Sequence, residues 1–215
     1  MTLVAITQRV LRDPSTDERR DALDQRWTRF LAAAGLLALV LPNHLPSALA
    51  LVRRFEPAGV ILTGGGDLVA YGGDAAERDA TEAALVSWAM QAGRPVLGAC
   101  RGMQQLLHLA GARLDRVEAH VRTRHKLVFA GRPIEVNSYH DFAIRSVPDQ
   151  DYAVLAEAPD GTVEAVRHRR LPQLGIMWHP EREAPFAAHD IALFRGHFGV
   201  AVPAEAASAE AACAD

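Results

Sequence analysis

The segment that most constrains this chain is residues 98–102, which read GACRG. It follows an apolar run at 95–97 and precedes a helical pattern at 103–110. Glycines two residues before and two residues after Cys100 permit a sharp turn from a strand into a helix. Such a turn lifts the thiol out of the sheet and aims the free N–H groups of the new helix at it. We therefore expect Cys100 to be an exposed nucleophile with a lowered pKa, the alternative being a buried cysteine that merely packs.

Length and charge exclude several classes of protein. The 215 residues suit one compact domain, and 49% hydrophobic with 23% charged residues is ordinary for a globular protein. A net charge of −3 without a basic, aromatic-interleaved stripe argues against a nucleic-acid partner. The short arginine-rich segments at 122–126 and 167–170 are either solvated surface or a local phosphate or carboxylate site.

The number and spacing of the cysteines and the N-terminal sequence indicate the cellular compartment and whether a structural metal is expected. Two cysteines cannot build a disulfide framework, and the absence of CxxC or Cys/His ligand spacing argues against structural zinc. Residues 1–7 lack the features of a signal peptide, and the longest nearly apolar run, 31–42, is too short to span a bilayer. We expect a cytoplasmic protein with no membrane partner, whose thiol stays reduced.

The order of predicted elements indicates the fold class. Strands are predicted at 3–7, 36–41, 59–62 and 96–97, alternating with helices at 21–34, 46–55 and 77–91. This alternation implies parallel strands with helices on both faces, and therefore an α/β fold. Within the first helix, helical spacing places four large side chains on one core-facing stripe: Leu23, Trp27, Phe30 and Leu31.

Beyond residue 111 the pattern becomes richer in strands. They are predicted at 113–117, 126–130, 133–137, 153–157, 162–168 and 173–178, with some pairing antiparallel beside the central sheet, and a last helix at 185–197. Residues 1–200 are predicted to form one domain. Residues 201–215, which include Cys213 and are rich in alanine and acid, are expected to be a disordered tail.

A candidate base stands at the end of a predicted strand. His179 lies in the sequence WHPE at 178–181, and sites in open α/β sheets cluster at such strand ends. Pro180 favours an extended His179, and residues two apart in an extended chain share a face. Glu181 can therefore reach one ring nitrogen while the other faces Cys100, which is the nucleophile–base–orienter pattern. The alternative is a satisfied histidine beside a surface glutamate.

Acyl transfer also needs donors for an oxyanion. The backbone N–H of Arg101, next after the candidate nucleophile, is one candidate. The glycines at 64–66 are the other, because they let backbone N–H groups approach a ligand without obstruction. A phosphate-binding loop is the competing interpretation, but neither GxGxxG nor GxxxxGK[ST] is present there.

Four segments in order carry a family resemblance: 63–67 (TGGGD), 98–104 (GACRGMQ), 137–140 (NSYH) and 178–181 (WHPE). Together they resemble the class I glutamine amidotransferase-like superfamily and, within it, the γ-glutamyl-γ-aminobutyrate hydrolase group. The resemblance covers about residues 3–198. It implies a three-layer, flavodoxin-like sandwich with a mostly parallel central sheet plus antiparallel additions.

The resemblance also implies a reaction. A γ-glutamyl thioester would form on Cys100, with His179 as base and then acid, oriented by Glu181. The backbone N–H groups of Gly65 and Arg101 would form the oxyanion hole. Substrate contacts are implied for Gln104, Ser138 and Tyr139. This chemistry requires no metal or organic cofactor, and its partner is a small γ-glutamyl molecule.

A narrower similarity concerns residues 6–9 (ITQR) and 18–27 (ERRDALDQRW), which resemble the γ-glutamyl-CDP-amidate hydrolases. Those enzymes release glutamate and cytidine diphosphoramidate in making the phosphoramidate decoration of bacterial capsules. Basic residues would then meet a diphosphate, the candidates being Arg9, Arg101, Arg122, Arg124 and His125. The alternatives are a glutaminase subunit that supplies ammonia to a synthetase, or a non-catalytic binding module. Oligomeric state is open, and dimers are common among such enzymes.

Overall fold

The computed structural model describes residues 1–200, which alternate strands and helices and then turn strand-rich. The strands are β1 (Thr2–Ile6), β2 (Arg9–Arg12), β3 (Arg19–Ala22), β4 (Leu36–Val40), β5 (Val60–Leu62), β6 (Val96–Ala99), β7 (Asp115–Arg116), β8 (Val121–Phe129), β9 (Arg132–Tyr139), β10 (Phe142–Ala143), β11 (Tyr152–Glu157), β12 (Val163–His168) and β13 (Gln173–Ile176). The helices are α1 (Gln25–Ala33), α2 (Leu45–Phe55), α3 (Ala76–Gln91), α4 (Arg101–Leu109) and α5 (Ala188–His197), with 3₁₀ turns at Val69–Tyr71 and Pro180–Arg182.

Seven of the strands form the central sheet, in the order β11-β12-β13-β6-β5-β1-β4. From β13 to β4 every pairing is parallel, whereas β12 and β11 add on antiparallel. The predicted fold class is confirmed: a mostly parallel central sheet with antiparallel additions. Strands β6 and β13 are neighbours, with Ala99 opposite Ile176. The two segments that carry Cys100 and His179 therefore leave the sheet side by side at its carboxyl edge.

Each face of the sheet buries its own core. Val4 and Ile6 of β1 pack on one face with α1 and α5, while Ala5 packs on the other with α2, α3 and α4. The predicted stripe of α1 is core, since Trp27, Phe30 and Leu31 are buried there. Phe30 meets Phe194 of α5 edge to face, at 4.8 Å between ring centroids. Helices cover both faces, as the strand–helix alternation predicted.

The first helix begins later than predicted, at Gln25 rather than at residue 21. Asp24 caps it, because its carboxylate accepts the Arg26 N–H at 3.0 Å. The residues before it form β3, which pairs antiparallel with β2 as a separate hairpin. Other bounds also differ: β7 spans only Asp115–Arg116, and the last helix begins at Ala188.

Strands β8 and β9 form a second hairpin, which lies outside the central sheet. In the described part of the chain, no helix is both long and apolar enough to cross a membrane. The predicted tail at 201–215, with Cys213, lies outside the described residues.

Candidate active site

Cys100 occupies the turn between β6 and α4 in a conformation that few non-glycine residues adopt. Its backbone has φ 52° and ψ −108°. Two hydrogen bonds hold this strained residue: its N–H donates to the Ile176 carbonyl at 2.7 Å, and its carbonyl accepts the Gln104 N–H at 3.1 Å. The chain thus bends sharply at the thiol, as the GACRG segment predicts.

The two glycines flanking Cys100 are required by close backbone approach. A Cβ on Gly98 would lie 2.4 Å from the Gly102 carbonyl, and a Cβ on Gly102 would lie 2.1 Å from the Leu62 carbonyl oxygen. Both distances are far below van der Waals contact. Only glycine at both positions lets α4 start directly against β5 and β6.

The thiol is buried, which corrects the expectation that it is exposed. Cys100 is 5% exposed, and both His179 and Glu181 are buried beside it. The elbow lifts the side chain out of the sheet, but the glycine loop that follows β5 lies over it. A Cβ on Gly64 would lie 3.3 Å from both Cys100 Cβ and His179 Nε2. The backbone of Gly64 therefore packs directly against the side chains of Cys100 and His179, with no room for a Cβ between them.

His179 is oriented by two neighbours. Its Nδ1 lies 2.9 Å from Glu181 Oε1, and because a carboxylate only accepts, Nδ1 carries the proton and Nε2 is left toward the thiol. Asn137 holds the backbone: its Oδ1 accepts the His179 N–H at 3.0 Å, and its Nδ2 donates to the His179 carbonyl at 2.8 Å. No role for Asn137 was inferred from sequence, although it stands in the NSYH segment.

Thiol and imidazole shift each other's pKa toward the charged forms. Burial alone would raise the pKa of Cys100, but the positive charge and hydrogen bond of His179 outweigh it and lower this pKa. Burial alone would lower the pKa of His179, yet the Cys100 thiolate and then Glu181 raise it to about 9. Each group therefore favours the charged form of the other, the thiolate of Cys100 and the imidazolium of His179.

A buried ionic network holds the glycine loop. Arg78 of α3 donates to the carbonyls of Gly65 at 2.5 Å and Thr63 at 2.6 Å. It pairs at 2.9 Å with Glu82, which also accepts from the Thr7 hydroxyl at 2.8 Å. Burial opposes ionisation of Glu82, but Arg78 and Arg101 lower its pKa below the ordinary value. Arg78 thus fixes the carbonyls of the loop, and Gly65 has a φ of +90°, which glycine adopts readily. The role of its N–H in an oxyanion hole stays a prediction.

The side chain of Arg101 belongs to this network and not to a diphosphate site. It is 1% exposed and bound to Glu82 and Asp79. This corrects its place among the phosphate candidates, while its backbone N–H still adjoins the thiol. Arg124 is paired with Glu135 at 2.6 Å and with Glu183.

The remaining predicted substrate residues surround the same site. Gln104 lies one turn after Cys100 on α4, where its Nε2 donates to the Phe142 carbonyl at 2.8 Å. The Ser138 hydroxyl donates to the His120 carbonyl at 2.6 Å. Tyr139 is 40% exposed, and its ring meets the His179 ring edge to face at 5.8 Å. Their contacts with substrate stay predictions.

A cleft reaches this site from the side of the β2–β3 hairpin. Its lining includes Gly64, Gly65 and His179 together with Arg9, Arg182 and the buried Trp27. The exposed Arg9 lies over the loop, since a Cβ on Gly65 would lie 2.8 Å from Arg9 Cδ. The Arg9 guanidinium makes no hydrogen bond or ion pair within residues 1–200, so its charge is available to a ligand. Arg122 and His125 do not line this cleft.

The fold agrees with the comparisons with known proteins. The model of the glutamine amidotransferase class-I family matches residues 21–192, and the chain belongs to that family. The chain is 31% identical over 187 residues to a gamma-glutamyl-CDP-amidate hydrolase of Campylobacter jejuni, covering 84% of this chain and 90% of that protein. These matches confirm the predicted resemblance and support a glutamine amidotransferase-like hydrolase.

Glutaminase-type proteins are also similar. Anthranilate synthase component 2 of Thermococcus kodakarensis is 29% identical over 150 residues, covering 66% of this chain and 73% of that protein. The crystal structure of a Thermoplasma acidophilum protein described as a GMP synthase subunit superposes with a TM-score of 0.68 at 20% identity, covering 93% of this chain and 94% of that one. The structural likeness concerns the fold alone.

Proposed function

We propose that this chain hydrolyses a γ-glutamyl amide or phosphoramide through a γ-glutamyl thioester on Cys100. The observation that carries the proposal is the strained, buried Cys100 beside a histidine whose other nitrogen is held by Glu181. A buried thiol and imidazole whose pKa values shift toward the charged forms are typical of a site that needs a nucleophile.

In the first half of the reaction, Cys100 Sγ attacks the γ-carbonyl carbon and a C–S bond forms. The carbonyl electron pair moves to oxygen, where the N–H groups of Gly65 and Arg101 stabilise the negative charge. As the oxyanion collapses, the C–N bond breaks and the imidazolium of His179 gives its proton to the leaving nitrogen. This step leaves a thioester and a neutral imidazole.

In the second half, water replaces the leaving group. Neutral His179 takes a proton from the water while its oxygen attacks the thioester carbon, and the same donors receive the second oxyanion. Collapse breaks the C–S bond, releases glutamate and restores the thiolate beside an imidazolium. Glu181 keeps the ring in the required tautomer and favours its charged form.

The substrate that the similarities favour is γ-glutamyl-CDP-amidate, cleaved to glutamate and cytidine diphosphoramidate for capsule phosphoramidate synthesis. Two observations support it: the relative of that name covers most of the chain, and the cleft carries the unpaired Arg9 at its mouth. A guanidinium suits a diphosphate because it can donate two parallel hydrogen bonds. We propose that the enzyme works in the cytoplasm, where a free thiol stays reduced.

The test is glutamate release by the purified chain from three compounds: γ-glutamyl-CDP-amidate, γ-glutamyl-γ-aminobutyrate and free glutamine. The Cys100→Ser variant, checked for folding by circular dichroism, is the control for contaminating activity. We expect turnover of the nucleotide compound with a clear preference over the other two.

Each other result selects a different function. Preference for γ-glutamyl-γ-aminobutyrate would replace the nucleotide substrate but keep the thioester mechanism. Activity on glutamine that rises when a synthetase is added would indicate an ammonia-supplying role. Equal activity of Cys100→Ser would refute the mechanism itself. Silence on all three compounds, together with no labelling of Cys100 by a glutamine-like electrophile, would indicate a binding module.

A further inference from the structure

A second cluster of chemically active side chains lies beside the candidate site. His120, His125, His140 and Glu164 bring one ligand atom each within 4.8 Å of one another. Glu164 Oε1 lies 3.7 Å from His120 Nδ1, 3.9 Å from His125 Nε2 and 3.4 Å from His140 Nε2. The proposed catalytic steps use none of these four side chains.

The atoms that face one another in this cluster are buried without hydrogen-bond partners among the described residues. This holds for His120 Nδ1, His125 Nε2, His140 Nε2 and both carboxylate oxygens of Glu164. Glu164 is 0% exposed, and the side chains of His120 and His125 are 4% and 11% exposed. A buried carboxylate with neither oxygen satisfied is costly, and such orphaned groups indicate a missing partner.

Contacts on the outer side of the cluster show where the histidine protons are. His140 Nδ1 lies 3.0 Å from the Phe142 carbonyl, which only accepts, so Nδ1 carries the proton. His120 Nε2 lies 3.0 Å from Asp160 Oδ2 and is the donor there for the same reason. In the neutral form of each ring the inward nitrogen is therefore a lone pair, and it faces the Glu164 carboxylate. This outer hydrogen bonding is the arrangement that orients metal-binding histidines.

We propose that His120, His125, His140 and Glu164 bind one Zn²⁺ ion. Three imidazole nitrogens and one carboxylate oxygen suit zinc, which is tetrahedral in closed sites with bonds of about 2.0–2.2 Å. Ligand atoms of such a site are separated by about 3.3 Å, so the three distances to Glu164 need to shorten by about 0.1–0.6 Å. The other separations, which reach at most 4.8 Å, need to shorten by at most about 1.5 Å. One dipositive ion would satisfy four of the five orphaned atoms at once, namely the three ring nitrogens and one oxygen of Glu164.

The position of the cluster indicates a structural role. Three ligands belong to the β8–β9 hairpin or its ends, whereas Glu164 stands on β12 of the central sheet. The strands of that hairpin pair only with each other within residues 1–200. The ion would fasten the hairpin to the sheet, and β9 carries Asn137, which holds the backbone of His179. Four protein ligands leave no open position, so the ion takes no part in the thioester chemistry.

Metal content tests the proposal independently of catalysis. The full chain is produced without a metal-affinity tag and in a Cys100→Ser, Cys213→Ser background, so that no thiolate can bind zinc. We expect about one zinc per chain after gel filtration in metal-free buffer, and less than about a tenth of that in Glu164→Gln. His44→Gln is the matched control, because His44 is exposed and lies outside the cluster.

Cobalt replacement tests the site in the parent chain, so that the result does not depend on whether Glu164→Gln folds. Co²⁺ added to the zinc-depleted, folded parent should give the visible bands of a tetrahedral site, and an equivalent of Zn²⁺ should abolish them. A zinc-free parent that takes up neither ion would overturn the proposal and leave a shared proton as the occupant of the cluster. Zinc retained in folded Glu164→Gln at the parental level would also overturn it.

Discussion

The close approach of Gly102 to β5 makes a quantitative prediction about the elbow. In Gly102→Ala, the new Cβ would lie 2.1 Å from the Leu62 carbonyl oxygen and 2.8 Å from Leu62 Cβ. Since real Cβ contacts do not fall below about 3 Å, helix and strand must separate by nearly 1 Å. Overpacking of this kind costs about 1–3 kcal/mol, from which alanine recovers about 0.5–1 kcal/mol of helix propensity.

The matched control is Gly196→Ala in α5. Gly196 is also helical, but a Cβ there would meet nothing within 4 Å. That variant should gain the same helix propensity without a clash. For a domain of this size, the expected changes in Tm are a rise of about 1–4 °C for Gly196→Ala and a fall of up to about 10 °C for Gly102→Ala.

Activity should separate the two variants more strongly than stability does. Gly102 follows Arg101, whose backbone N–H is the proposed oxyanion donor, and a misplacement of about 1 Å can cost roughly 100-fold in rate. We expect kcat for glutamate release to fall by about that factor in Gly102→Ala and to be unchanged in Gly196→Ala. Thermal unfolding and steady-state kinetics measure both. A Gly102→Ala enzyme with parental Tm and kcat would refute the argument from close approach.

Three further predictions concern the reaction. Cys100→Ser should abolish glutamate release with an unchanged circular dichroism spectrum, because serine fits the buried site. Measurable turnover by this variant would refute the thioester mechanism. The value of kcat/KM should fall above about pH 9, because His179 loses its proton there. Glu181→Gln should lower the rate and move this alkaline fall to lower pH, because Glu181 raises the pKa of His179. An alkaline fall at the parental pH would show that another group orients the ring. Arg9→Ala should raise KM for γ-glutamyl-CDP-amidate but not for γ-glutamyl-γ-aminobutyrate, with exposed Arg12→Ala as the control; equal effects on both substrates would exclude a diphosphate contact.

The elbow and the His179–Glu181 pair were predictable because local rules determine both. Glycine spacing around Cys100 determines the turn, and a residue before proline is extended, which places Glu181 on the same side as the ring. The burial of the thiol was not predictable from those rules. It depends on the loop at 64–66, whose position is set by Arg78 from a different element.

The β2–β3 hairpin was missed because its sequence lacks the usual strand signal. Residues 19–22 read RRDA and contain no alternating apolar side chains, so no strand was predicted there, and residues 21 and 22 were assigned to the following helix. The pairing with β2 is held instead by backbone hydrogen bonds between two largely exposed strands.

The histidine cluster was hidden for a different reason. His120 and His125 are five residues apart, and in a regular strand an odd separation places side chains on opposite faces. The register of β8 shifts between Val121 and Thr123, where Arg122 has φ +57°. A bulge of this kind adds one residue to one strand and so brings both rings to the same side. Glu164 lies on β12, far from the three histidines in sequence, so that no local residue spacing predicts its place in the cluster.

The structure separates the parts that would perform the chemistry from the parts that would select the substrate. Cys100 and His179 follow adjacent strands, β6 and β13, so hydrogen bonds of the central sheet set their separation. The cleft mouth is instead lined by the β2–β3 hairpin and by Arg182, outside the sheet. Changes in the hairpin can therefore alter the leaving group without moving the thiol or the imidazole. The proposed contact of Arg9 with a diphosphate would lie in this outer part, away from the reacting thiol.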